Sequence, residues 1–146
     1  MRSRLRRTLC TFAPLAAALC AMAPARAGEV AYRAELSGKN EVPPNDSKGT
    51  GRVEAKWNPE SMELSWEFSY AGLSGPATNV HFHGPAKPGE NGGAELPVPG
   101  PFASPMKGAA KLSPAQAADL GRGLWYLNVH TAKYKTGEIR GQLVPE

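Results

Sequence analysis

The 146-residue chain is predicted to fold as an all-β sandwich or barrel with one short helix, and three observations carry that prediction. Met62, Leu64, Trp66, Phe68 and Tyr70 alternate without interruption against Glu63, Ser65, Glu67 and Ser69, the period of a strand with one face buried. The 16 glycines and 14 prolines are spread throughout, so that short alternating runs are separated by turn residues and no long helical period appears. One good helix start stands out, at Ser113-Pro114-Ala115-Gln116. Its serine can cap, its proline suits the first helical position, and its glutamine can reach back to close a capping box.

In chain order, residues 1–27 read as a targeting segment. Arg2, Arg4, Arg6 and Arg7 form a basic head, Leu9 to Met22 is rich in Ala and Leu, and Ala25-Arg26-Ala27 has the form a signal peptidase cuts after. The apolar run is short for a membrane span and carries Pro14, which favours a cleaved signal over a retained helix. Arg6-Arg7 resembles a twin-arginine signal, with ordinary secretion the expected route. The expected mature domain is therefore residues 28–146, periplasmic or secreted, with no membrane span once the signal is removed.

Removing the segment changes the global chemistry. It holds five of the 17 Lys+Arg and none of the 13 Asp+Glu, so the mature chain is close to neutral. The basic pI belongs to the signal, and no nucleic-acid surface is expected. Both cysteines, Cys10 and Cys20, also lie in the signal, so the domain must be held by its core or a ligand instead of disulfides.

Within the mature chain, Val30, Tyr32, Ala34 and Leu36 mark a first strand ending near Ser37-Gly38. The prolines of Glu41-Val42-Pro43-Pro44 cannot donate to a sheet ladder, which predicts an edge or crossover there. Gly51 to Trp57 and Met62 to Tyr70 should form a hairpin about the turn Asn58-Pro59-Glu60-Ser61. Asn79 to Pro85 is the next strand, followed by a Gly- and Pro-dense segment to about Pro101 that is too long for a hairpin turn; such loops are usually functional or mobile. A weak strand is expected within Phe102 to Leu112, then the helix to Gly121 or Gly123. Two closing strands, Trp125 to His130 and Gly137 to Leu143, complete the domain.

All three histidines fall on the polar parity of these strands. Asn79, His81 and His83 oppose Val80 and Phe82, while Asn128 and His130 oppose Leu127 and Val129. If the last two strands pair, Asn128 and His130 lie beside Glu138 and Arg140. Neutral imidazoles suit copper and zinc, and three of them leave a position open, so His81, His83 and His130 are candidate ligands for one copper or zinc per chain. Asn79, Asn128, Glu138 and Arg140 are candidate members of the surrounding polar face. Glu138 and Arg140 could instead form a cross-strand salt bridge, and Arg140 near the histidines would repel a cation unless Glu138 neutralised it. The other reading makes the histidines structural members of a hydrogen-bonded polar cluster.

No catalytic residue is assigned. Ser74, Ser104 and Ser113 sit in no nucleophile motif, Glu63 and Glu67 face solvent, and no phosphate-binding glycine loop opens a helix. Trp57, Trp66 and Trp125 have core parity.

Glu41-Val42-Pro43-Pro44, Gly72-Leu73-Ser74, His81-Phe82-His83-Gly84-Pro85, Leu124 to Thr131 and Gly137 to Leu143 together resemble the CHRD domain, named after chordin and also occurring as single exported domains in bacteria. The resemblance runs from about Val30 to Leu143. It implies an exported, antiparallel β-sandwich of immunoglobulin-like or related type and little about activity; the expected partner, a metal ion or an unknown extracytoplasmic protein, follows from the histidine face and not from the family. A weaker similarity is to the copper-zinc superoxide dismutases, where a His-x-His strand and a later strand histidine hold copper. The zinc loop and cysteines of that family have no counterpart here, so an enzyme of that kind is the lesser expectation.

Overall fold

The computed structural model describes residues 28–146; the expected signal peptide lies outside them. Nine strands follow in order: β1 (Val30–Ser37), β2 (Thr50–Asn58), β3 (Glu63–Ala71), β4 (Ala77–Gly84), β5 (Gly93–Pro97), β6 (Met106–Lys111), β7 (Tyr126–Thr131), β8 (Ile139–Gln142) and β9 (Val144–Pro145). The one α-helix among the described residues, α1 (Pro114–Gly121), lies between β6 and β7. Among the described residues no helix is long and apolar enough to cross a membrane.

The strands form one antiparallel path, β5-β4-β7-β8-β1-β2-β3-β6, with β9 added beside β1. The halves of the path meet weakly, at the single pairing of Ser37 with Arg140. That junction lets the sheet curl over, so that β4 faces β3 as in a sandwich. Trp66 of β3 meets Phe82 of β4 edge to face, ring centroids 5.1 Å apart. Each large side chain buried here contributes about 1.5–3 kcal/mol. Val53, Leu64, Phe68, Val80, Leu127, Val129, Ile139 and Leu143 fill the rest of the space and are all essentially inaccessible. All three tryptophans belong to this core, as their parity predicted.

Local chemistry explains the boundaries. Asn58 Oδ1 accepts from the backbone N–H of Glu60 and Ser61, closing the β2–β3 turn. The Ser113 hydroxyl accepts from Gln116 N–H at 3.2 Å and Gln116 Oε1 from Ser113 N–H at 3.0 Å, the predicted capping box. The weak strand predicted after Phe102 is β6, paired with β3; Gly108 on it has no room for a side chain, because a Cβ would stand 2.6 Å from the Trp66 ring.

Two departures matter for the site. The proline pair 43–44 does not mark a crossover: it belongs to the loop joining β1 to its hairpin neighbour β2. Residues 85–101, in turn, contain the strand β5 on the edge beside β4. Both loops bend across the outer, polar face of β4, β7 and β8. Every residue of β7, Tyr126 to Thr131, is buried in consequence, on the polar side as well as the apolar one. The fold thus has a second, polar interior.

Candidate metal centre

β4 and β7 run antiparallel with Asn79 opposite His130, His81 opposite Asn128 and His83 opposite Tyr126. Same-parity side chains on neighbouring strands share one face, and this register brings the three imidazoles together. Ring centroids are 5.2 Å apart for His81–His130, 5.5 Å for His81–His83 and 6.0 Å for His83–His130. One nitrogen from each ring lies within 4.8 Å of the other two, so the group could hold a metal ion.

Two rings are oriented by main-chain carbonyls. His83 Nδ1 is 3.2 Å from the Gly92 carbonyl oxygen, and His130 Nδ1 is 3.0 Å from that of Lys135. A carbonyl only accepts, so in the neutral rings both Nδ1 atoms carry the hydrogen and both Nε2 atoms keep a lone pair. His130 Nε2 lies 3.4 Å from His81 Nδ1. That is long for a hydrogen bond, and two nitrogens on one tetrahedral ion at about 2.0–2.1 Å would stand about 3.3–3.4 Å apart. His83 Nε2 is buried with no hydrogen-bond partner among the described residues.

The electrostatics keep the rings neutral. Burial lowers the pKa of His81; burial also lowers that of His83 and of His130, against the opposing carbonyl hydrogen bonds, and neighbouring positive charge adds to the lowering. Neutral imidazole is the form that binds a metal.

A family model for the CHRD domain matches residues 32–143, the greater part of the chain. The chain belongs to the CHRD domain family. Comparison with curated proteins found no match, and comparison with solved structures found none.

The CHRD domain's polar face extends from the histidines in two directions. Toward β8, the Tyr126 ring stacks on His83 with centroids 5.0 Å apart and planes 7° apart, while the Arg140 guanidinium carbon lies 3.5 Å from the Tyr126 centroid. The Tyr126 ring thus contacts both the guanidinium and His83, whose pKa the Arg140 charge helps to lower. Asn128 Nδ2 donates to Glu41 Oε1 at 2.7 Å, whereas Asn128 Oδ1 is buried and unpartnered. Burial pushes the Glu41 carboxyl up to about 7, against the lowering effects of Arg140 and the Asn128 hydrogen bond.

In the other direction stands Glu138. Its carboxylate accepts from the Ser47 and Ser74 hydroxyls and the Ser74 N–H, each at 2.7 Å, and from the Thr131 hydroxyl at 2.6 Å. Burial alone would raise its pKa, but these hydrogen bonds together outweigh burial and hold it below the usual range.

The structure therefore sorts the sequence-predicted residues. His81, His83 and His130 converge; Asn128 and Arg140 flank them across the β7–β8 pairing. Asn79 is exposed at the margin. Glu138 is buried at the far end among hydroxyls, and no ion pair joins it to Arg140 among the described residues, so the neutralisation expected of it does not occur. Sequence reasoning missed Glu41, Tyr126 and the backbone of Asn91-Gly92. Tyr126 shares parity with Asn128 and His130, which is a usable signal. Glu41 was visible only as part of the Glu-Val-Pro-Pro motif, where the prolines drew the interpretation.

Proposed function

We propose that this CHRD domain is an exported binding module whose histidine face takes up one transition-metal ion per chain, copper or zinc, through His81, His83 and His130. The observation that carries the proposal is His83 Nε2, a buried lone pair with no partner, beside two further imidazole nitrogens. Leaving such a group unsatisfied costs about 1–3 kcal/mol, which a metal–nitrogen bond would more than offset. Gly92 and Lys135 would act as the groups that fix ring orientation around the ion. The charge objection is reduced but not removed: the Arg140 guanidinium sits on the Tyr126 ring, yet its charge still contributes to lowering the His83 pKa. Three nitrogens leave a coordination position for an outside ligand.

The test uses tag-free protein of residues 28–146, with metal content and affinity measured by competition against a chelator. About one copper or zinc per chain is expected, and a His81→Ala/His83→Ala/His130→Ala variant should bind none. Retention of the metal by the triple variant would refute the proposal.

Family membership favours a second reading, a protein-interaction module in which the His81–His130 contact is purely structural. It predicts that the triple variant loses stability while metal content stays at background in both proteins. The dismutase-like reading needs superoxide removal by the copper-loaded domain; absence of that activity disposes of it.

A further inference from the structure

The loops that cover the polar face leave a cavity of about 500 Å³ between them, on the β8 side, with Arg140 in its wall. This volume suits a small molecule. Arg140 is 2% exposed, yet its guanidinium finds only neutral acceptors at long range: Asn91 Oδ1 at 3.2 Å, and the Lys87 carbonyl and Gln142 Oε1 at 3.5 Å each. Good charge-assisted bonds are about 2.7–2.9 Å, and a buried guanidinium ordinarily takes a carboxylate in its plane. The nearby carboxyl, Glu41, acts on the guanidinium through space but makes no direct contact with it. Its Oε1 is taken by Asn128, and no Glu41–Arg140 ion pair occurs among the described residues. Its upward-shifted pKa makes it a poor counter-charge near neutrality.

We propose that this cavity is a second binding site, for a small monocarboxylate with an apolar body. The guanidinium of Arg140 would receive the carboxylate, and Val42, Pro44 and Pro88 on the walls would pack against the body. Glu35 and Glu41 also line the cavity, which disfavours a dianion such as phosphate. The cavity's lining shares no residue with the histidine group, so the proposal stands apart from the metal reading.

The test follows Arg140 Nε and backbone amides by NMR in chelator-treated, isotope-labelled protein of residues 28–146, with hexanoate as probe and hexanol and inorganic phosphate as controls. Hexanoate should produce saturable shifts at Arg140 Nε, Lys39 and Gly89, with hexanol and phosphate each weaker by about tenfold or more. Arg140→Gln should abolish the hexanoate response. Because that buried residue also supports the fold, Pro44→Glu on the exposed rim is the second variant: it should keep the native spectrum and weaken hexanoate about tenfold. No saturable shift at Arg140, equal binding of hexanol, or undiminished binding by Pro44→Glu would overturn the proposal.

Discussion

The polar interior contains two buried carboxylates in opposite conditions. Glu138 is wholly inaccessible and receives four hydrogen bonds of 2.6–2.7 Å. Glu41 is 7% exposed and, among the described residues, accepts one side-chain hydrogen bond, from Asn128. Around Glu138 the donors Ser47, Ser74 and Thr131 tie the β1–β2 loop, the segment after β3 and the end of β7 into one knot. Around Glu41 lie the loosely bonded Arg140, the orphaned Asn128 Oδ1 and, past Tyr126, the orphaned His83 Nε2. A fold places saturated groups where it needs stability and tolerates unsaturated ones where something else completes them. The difference teaches that one end of the face is a fastening and the other is the place to look for ligands.

The largest expected effect tests the fastening. Glu138→Ala removes the acceptor of four short charge-assisted bonds and leaves the buried Thr131 hydroxyl without its carboxylate, which should cost about 3–5 kcal/mol in urea or thermal unfolding. The chelator-competition affinity of the protein that remains folded should stay within a few-fold of wild type. A loss of less than about 0.5 kcal/mol would erase the contrast between the two carboxylates.

Next comes the pH dependence, where the two acids have opposite signs. Glu138 has a folded pKa below its unfolded value of 4.5, so its contribution is present above that value and is lost as pH falls through the folded pKa. Glu41 has a folded pKa of about 7 against 4.5 unfolded. Between those values the folded state binds more protons, and stability falls as pH rises. The histidines oppose this trend, since their lowered folded pKa values make stability rise toward 6.5. Comparing wild type with Glu41→Gln isolates the carboxyl: Gln can still accept from Asn128, and the variant should gain on the order of 2 kcal/mol over wild type on going from pH 4.5 to pH 8. Parallel stability curves would show that Glu41 is not desolvated in solution.

Much of this was legible in the sequence, for a definite reason. Period-two alternation reports which side of a strand meets the apolar core, so the strands, the three tryptophans and the shared face of the histidines could all be read. Alternation does not report what covers the other side. The cover comes from residues 38–49 and 85–92, which have no period and are positioned by contacts such as Asn91 Nδ2 with the Val42 carbonyl and Asn45 Nδ2 with the Glu138 carbonyl. Strand β5 was hidden by its terminal glycine and proline and by the Gly- and Pro-dense segment around it, and owes its pairing to β4. Glu138 was assigned to the face of Arg140 by parity, but β8 begins only at Ile139. The preceding Gly137 has φ 135°, a conformation that breaks strand parity. A Cβ there would stand 2.3 Å from Asn128 Nδ2 and 2.7 Å from Glu41 Oε1, so this glycine also lets the two ends of the face adjoin.

The smallest effect separates two things Tyr126 does. Its hydroxyl donates to the Gly92 carbonyl oxygen at 3.3 Å and accepts from the Gly92 N–H at 3.2 Å, while its ring lies between His83 and Arg140. Tyr126→Phe removes the first and keeps the second. The bonds are long, so the expected loss is about 0.5–1 kcal/mol, with faster hydrogen exchange at Gly92 as the local signature. Metal affinity should fall by less than tenfold, because Gly92 still orients His83 through its own carbonyl. Tyr126→Leu removes the ring as well and should weaken metal binding further, since Arg140, which already bears on His83, then loses its aromatic partner. Equal metal affinities in the two variants would mean that Arg140 is neutralised some other way, and the unsaturated end of the face would need a different counter-charge from the one its geometry leaves missing.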